Sequence, residues 1–293
     1  MWLAVEGALE QGLLYSLVAL GVYVTFKILQ FPDLTVDGSF PLGAAVSARL
    51  IISGWDPFAA IAVSTLAGAG AGFLTGILHT RLRISALLSG ILGMTALYSV
   101  NLRVMGRPNI ALLRERTCLV VLGELGLPDW LGPMLFFMLI LVVVYALLSW
   151  FWKTLLGLSL RATGDNEQMV LSYGTNPDVT KLVGLSLSNA LVGMAGGLVA
   201  QYQGFSDISM GVGTIVVGLA SVIIGEGIFG EKTVNHAMVS VMGGAVLYRF
   251  VIAAGLRMGL PSTDLKLITA VLVVAALATP RFRSLFRVAS RTS

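Results

Sequence analysis

"MLFFMLILVVVYALLSWFWK", residues 134–153, carries a single charge, at its last position. A helix on the surface of a soluble domain shows a polar face every three to four residues. This one is apolar all round. Its length matches the roughly 20 residues that a helix needs to cross a hydrocarbon layer. Working outward, similar runs fall at about 10–29, 38–53, 57–79, 84–102, 179–203, 212–229, 235–256 and 264–279. They are continuously apolar and do not alternate, so helices are expected and barrel strands are not. The reading is an all-α polytopic membrane bundle, 1–293, a single transmembrane domain with eight to ten crossings and nine as the best count.

Composition agrees. The 293 residues are 56% hydrophobic and 12% charged, against roughly 25% charged in soluble domains. Cys118 is the only cysteine, and His79 and His236 are the only histidines. A disulfide framework and a multi-Cys metal site are therefore excluded within one chain, and with the two histidines far apart a His-based metal site is not expected. The net charge of +4 gathers in the basic tail 280–293, at Arg281, Arg283, Arg287 and Arg291. That pattern marks a cytoplasmic membrane flank and is no sign of nucleic-acid binding. Glu6 and Glu10 stand where a signal peptide would be basic, so no cleaved leader is expected.

Short-loop lysines and arginines set the orientation. With the tail inside, the loops at 28–37, 80–83, 153–178 and 230–234 are also inside, and the N-terminus is outside. Arg103, Arg107, Arg114 and Arg116, in the outer segment 103–132, run against this rule. Cys118 would lie outside.

The longest inner loop continues the opening stretch as "TLLGLSLRATGDNEQMVLSYGTNPDVTK", residues 154–181. Asp165 is a suitable N-cap with Gln168 at the third helical position, a capping box. Gly174 suits a left-handed terminator, and Asn176-Pro177 suits the start of the next helix. A two-turn helix over about 166–172 is predicted. Its polar side holds Asn166, Glu167 and Gln168, and Met169, Val170, Leu171 and Tyr173 supply apolar surface. A helix lying on lipid headgroups would carry lysine and arginine there. A carboxylate and amides suit a protein surface better.

"GEGIFGEKT", 225–233, approaches the nucleotide-binding pattern G-x-x-x-x-G-K-[ST] with one extra residue, Glu231. A true P-loop joins a buried strand to a helix in an α/β domain. Here the flanks are membrane-length apolar runs, and Glu231 sets Lys232 out of register. No nucleotide is expected on this chain.

"GLSLRATGDNEQMVLSYGTNPDVTKLVGLSLSNALVGMAGGL", 157–198, resembles the cytoplasmic coupling segment of bacterial ABC importer permeases of the branched-chain amino-acid and ribose type. "GVGTIVVGLASVIIGEGIFG", 211–230, resembles that family's next block, and "LQFPDLTVDGSFPLGAAVSA", 29–48, its early polar break. The break looks closest to a subgroup associated in part with aromatic amino-acid uptake. The resemblance spans about residues 8–285. It implies the inner-membrane permease subunit of an importer, which forms the pathway for a small solute and does no covalent chemistry. It further implies a second permease copy, a cytoplasmic ATPase dimer that uses the ATP, and an extracytoplasmic solute-binding protein. No cofactor is expected on this chain. Arg161, Asp165, Asn166, Glu167, Gln168, Met169, Leu171 and Gly174 in the segment 153–178 would meet the ATPase, with Glu231 and Lys232 as a second contact.

Polar groups at membrane depth cost roughly 2.5–3.5 kcal/mol each when charged. Asp33, Thr35, Asp37 and Ser39 in the break, with Asn101 and Asn189, are candidate pathway residues. Asp33 and Asp37 are equally suited to capping helices at the membrane edge. The break is also the feature that favours an ion-coupled secondary transporter, the rival class. Glu226 and Arg249 are candidate partners. Gly68, Gly72 and Gly76, in "GAGAGFLTG", recur every four residues and read as helix packing. No His/Asp/Glu or Ser/His cluster supports a membrane enzyme.

Overall fold

A computed structural model describes residues 2–123, 131–258, 267, 269–271 and 274. The helices are α1 (Trp2–Val22), α2 (Val36–Ile52), α3 (Pro57–Thr80), α4 (Ala86–Met105), α5 (Cys118–Gly123), α6 (Leu131–Phe151), α7 (Leu155–Asp165), α8 (Glu167–Ser172), α9 (Pro177–Gln203), α10 (Thr214–Phe229) and α11 (Val234–Arg257). A π-helical turn, Tyr23–Ile28, extends α1. Among the described residues six helices are long and apolar enough to cross a membrane: Val5–Ile28, Pro57–Thr80, Ala86–Met105, Leu131–Phe151, Pro177–Gln203 and Val234–Arg257. The expected crossings at 38–53 and 212–229 are helices of only 17 and 16 residues. Of the ninth, 264–279, only 267, 269–271 and 274 are described, and the basic tail lies outside the described residues.

Helix α9 is the axis of the bundle, packing on α1, α2, α3 and α7. Ser188, Asn189, Val192 and Ala195 along it are fully buried. Close approach to α3 depends on the predicted glycines. A β-carbon at Gly68 would collide with the Asn189 carbonyl, and one at Gly72 with the Leu185 carbonyl. Gly70, on the opposite face of α3, has nothing near it. Outward faces of α4 and α6 are apolar, with Leu88, Leu92 and Tyr98 on one and Leu139, Val142 and Leu147 on the other. A bilayer is the solvent that such faces fit.

One end of the bundle carries α7 and α8. The opposite end carries a feature absent from the all-α reading, a two-stranded antiparallel ladder of β1 (Asn109–Ala111) and β2 (Phe205–Asp207), with Ile110 opposite Ser206. It covers the cluster of Ala44, Ala48, Ile51, Ala60 and Met105. Asp207 accepts bonds from the backbone and hydroxyl of Ser209 and from Asn109, which hold its carboxyl below the usual range. Cys118 sits at 1% exposure under this end, where burial pushes its thiol up to about 12. A thiol both shielded and protonated is a poor target for maleimide, whichever side of the membrane it faces.

Candidate functional site

The predicted two-turn helix is present, shifted by one residue. Helix α7 runs through Asp165, so Asp165 ends that helix and does not cap the next. Asn166 is the N-cap, and its side-chain oxygen accepts from the Met169 amide at 3.0 Å. Gln168 is thereby the second helical residue, exposed, and the capping box is not formed. Helix α7 itself, capped by Thr154 onto the Gly157 amide, was read as loop.

The far end of α8 follows expectation. Gly174 has φ +79°. Its amide donates to the Leu171 carbonyl at 3.0 Å, and the Thr175 amide to the Val170 carbonyl at 3.2 Å. These two bonds make a Schellman cap. Asn176 then caps α9 through the Asp178 amide at 2.9 Å. Two tight caps fix the angle between α8 and α9.

Val170 points inward at 4% exposure and seats α8 on its own bundle. Met169, Leu171 and Tyr173 stand exposed, Tyr173 at 80%. Glu167 reaches back to Lys181 in the first turns of α9 at 2.8 Å. An open cleft of about 460 Å³ lies beside it, lined by Arg83, Glu167, Leu171, Gly174, Thr175 and Asp178. Arg83, itself at φ +56°, pairs with Asp178 across it at 3.7 Å.

A second cleft, about 250 Å³, joins the two predicted inner contacts, since Arg161 and Asp165 line it together with Glu231 and Lys232. Lys27, on the π-helical turn, bridges Glu231 at 2.7 Å and Glu226 at 3.0 Å. The anticipated Glu226–Arg249 pair is not formed. Arg249 instead bonds Gln11 at 3.1 Å and lies 3.5 Å over the Tyr15 ring. Depth along the helices decides this, because Glu226 ends α10 near the α8 end and Arg249 lies in the second half of α11.

The break between α1 and α2 is knitted into protein. Asp33, Thr35, Ser39 and Asn189 are fully buried and Asn101 nearly so. Asn189 donates to the Asp33 carboxylate at 2.7 Å and accepts from the Ser39 hydroxyl at 2.6 Å. The other Asp33 oxygen takes the Thr35 amide at 2.9 Å, and the Thr35 hydroxyl meets that of Thr75 on α3 at 2.8 Å. Asn101 donates to the Gly38 carbonyl at 3.1 Å. Asp37 does not cap its own helix. It accepts from the Gly213 and Ile215 amides at 3.0 and 2.8 Å, and so caps α10. Two shorter helices, of 17 and 16 residues, thus begin side by side inside the bundle, with backbone groups at their starts met by side chains, as irregular backbone at membrane depth requires. Thr75 was not singled out in the sequence, nor were Lys27 and Lys181 as ion-pair partners, although both lysines stand conspicuously at the ends of apolar runs.

A bundle of apolar crossing helices, with short helices that start at a buried break, is transporter architecture. The chain belongs to the family described as branched-chain amino acid transport system / permease component, whose model matches residues 4–277. A tyrosine transport system permease protein of Clostridioides difficile (strain R20291) is 43% identical over 271 residues, 92% of this chain and 89% of that protein. An uncharacterized protein of Rickettsia prowazekii (strain Madrid E) is 37% identical, over 92% of this chain and 95% of its own length. An autoinducer 2 import system permease protein, LsrC, of Escherichia coli (strain K12 / DH10B) is 29% identical over 66% of this chain and 55% of that protein. No solved structure matches. The chain is a transport permease, an integral multi-pass protein of the bacterial inner membrane.

Proposed function

We propose that this permease is the pathway-forming subunit of an ATP-binding-cassette importer for an aromatic amino acid. The solute class rests on the relative described as a tyrosine transport permease. The α8 end is cytoplasmic, the N-terminus is outside, and residues 264–279 complete nine crossings of a single transmembrane domain, 1–293. Two copies enclose the pathway. A separate ATPase dimer docks below and hydrolyses the ATP, a binding protein delivers solute outside, and this chain carries neither nucleotide nor other cofactor. Closure of the ATPase pair moves α8, and rigid helices convert that motion into alternating access.

One observation carries the reading. Helix α8 is locked at both ends by caps and held to its own bundle by Val170 and the Glu167–Lys181 pair. It turns Met169, Leu171 and Tyr173 outward at the end opposite the β ladder. A rigid helix with exposed apolar anchors is a protein-docking element. Arg161, Glu231 and Lys232, around the neighbouring cleft, form the second contact.

The test is co-purification with the importer's ATPase subunit, together with solute-stimulated ATP hydrolysis in proteoliposomes. Leu171 is 55% exposed, so Leu171→Glu should leave the fold intact. A buried interface anchor contributes about 2 kcal/mol or more, so association should weaken about 30-fold and stimulation should vanish. Wild-type association and stimulation in Leu171→Glu would remove α8 from the interface. The break, with its two adjacent helix starts, favours ion-coupled secondary transport as the second reading. Gradient-driven uptake by this chain alone in vesicles would establish it.

A further inference from the structure

We infer that Asn189 is the positioning residue that passes movement of α9 to the break, and through the break to α10. The inference rests on the reading of α8 as the ATPase-docking helix. Helix α9 leaves α8 through a Schellman cap and an Asn176 cap, and the Glu167–Lys181 pair ties α8 to its first turns. Twelve residues on, roughly 18 Å along the axis at about 1.5 Å per residue, comes Asn189. Its amide group is fully engaged as donor, to Asp33 at 2.7 Å and to the Leu185 carbonyl at 3.0 Å, and its oxygen holds Ser39 at 2.6 Å. Asp33 precedes α2 and Ser39 lies in its first turn, so one side chain grips both sides of the α2 start. Between them stands Asp37, whose carboxylate holds the first amides of α10. The contacts therefore run from α8 along α9, across Asn189 to α2, and across Asp37 to α10.

Packing explains why an amide is placed there. The α3 glycines bring Gly68 against the Asn189 carbonyl, and a β-carbon at Gly72 would lie 2.9 Å from the Asn189 β-carbon. Helix α9 cannot shift at this level without moving α3 or dragging the side chain with it. Buried polar bonds in a low-dielectric interior are directional and stiff. A leucine in the same space would pack but would not pull. The bundle has two flanks for such a linkage to move. Helices α2, α3 and α9 pack together, and so do α1, α10 and α11. Asp37 joins the first to the second through α10, and the Ser188 hydroxyl of α9 joins them through the Gly21 carbonyl of α1 at 2.7 Å.

The experiment measures ATP-driven separation of the two flanks in the permease–ATPase complex, with no need for solute. Spin labels at Trp55→Cys, after α2, and Met258→Cys, after α11, occupy exposed positions, one on each flank. Buried Cys118 stays unlabelled. Wild type should show a change in the label distance when ATP is trapped with vanadate. Asn189→Asp sets two carboxyl groups face to face in a buried site, where they repel or share one proton. It also loses the donor to the Leu185 carbonyl, and should largely abolish the change while ATPase association stays within twofold. Asp33→Asn combined with Asn189→Asp restores one carboxylate opposite one amide, and should regain at least half of the change. Ser39→Ala removes one arm of the grip and should reduce the change without abolishing it. If Asn189→Asp does not fold, the swapped pair and Ser39→Ala decide. A wild-type distance change in Ser39→Ala and Asn189→Asp, or its absence from both wild type and swap, overturns the inference. Failure of the wild-type chain to bind the ATPase refutes the docking reading instead.

Discussion

Gly72→Val should prevent the permease from reaching its folded state, while Gly70→Val, two residues away, should leave it unchanged. The first β-carbon of a residue 72 side chain would overlap the Leu185 carbonyl and press on Asn189. Backbone on the far side cannot rotate away as a side-chain tip can. Helices α3 and α9 would have to separate, and a displaced α3 would also strain its bond to α2, from the Ser64 hydroxyl to the Gly43 carbonyl at 2.9 Å. Overpacking of a tight interior costs about 1–3 kcal/mol for one or two added methylenes, and more where backbone must move. In a membrane the loss is compounded, because packing and interhelical hydrogen bonds are what hold helices together once lipid surrounds them. Nothing lies within 4 Å of a β-carbon added at Gly70, so its valine escapes that collision. The readouts are the yield of monodisperse detergent-solubilised protein and its thermal unfolding midpoint. A Gly72→Val protein with the wild-type midpoint would mean that α3 and α9 are not in contact at this level.

Gly68, Gly72 and Gly76 were legible as a packing stripe, because only small residues at that spacing allow backbones to touch. Their partner was not, since nothing local names α9. The same division runs through the candidate site. Gly174 was readable because a helix that must turn left-handed needs glycine there, and Asn176-Pro177 because both residues are fit for a helix start. Asp165 and Asn166 are equally good caps, and the choice fell to the extent of α7. That helix went unseen because its 11 residues include Arg161 and Asp165 and are too short and too polar to register as a crossing. The polar break within 29–48 was legible from Asp33, Thr35, Asp37 and Ser39 set between apolar runs. Its binding to Asn189, Thr75 and α10 was not, because hydrogen bonds spanning 156, 40 and 176 residues leave no local pattern. Pairing guesses such as Glu226 with Arg249 fail for the same reason: sequence orders helices but does not fix their depth against one another.

Asp37→Ala should cost more than its size suggests, because the residue serves a helix other than its own. Helix α2 would tolerate alanine, which is the best helix former. The damage falls on α10. Its first amides, Gly213 and Ile215, now give their hydrogens to the Asp37 carboxylate, and a carboxylate at a helix N-terminus is also favoured by the helix dipole. Ile215 is buried and Gly213 partly so, which leaves water poorly placed to take over fully. Each buried amide left without an acceptor costs about 1–3 kcal/mol, so about 2–5 kcal/mol is expected for the two with partial relaxation. Relaxation by outward movement of the 208–213 segment is limited. Gly211 packs so tightly on the Asp37 carbonyl and the Pro41 ring that even a β-carbon there would collide. Asp37→Asn keeps one oxygen acceptor in place and loses the charge, so it should fall between wild type and alanine. Thermal unfolding midpoints of the three proteins should therefore order as aspartate, asparagine, alanine. Uptake in reconstituted vesicles should follow that order, since α10 would no longer start in register with α2. Equal midpoints and equal uptake for aspartate and alanine would show that another group satisfies these amides, and that the joint between the two short helices does not depend on Asp37.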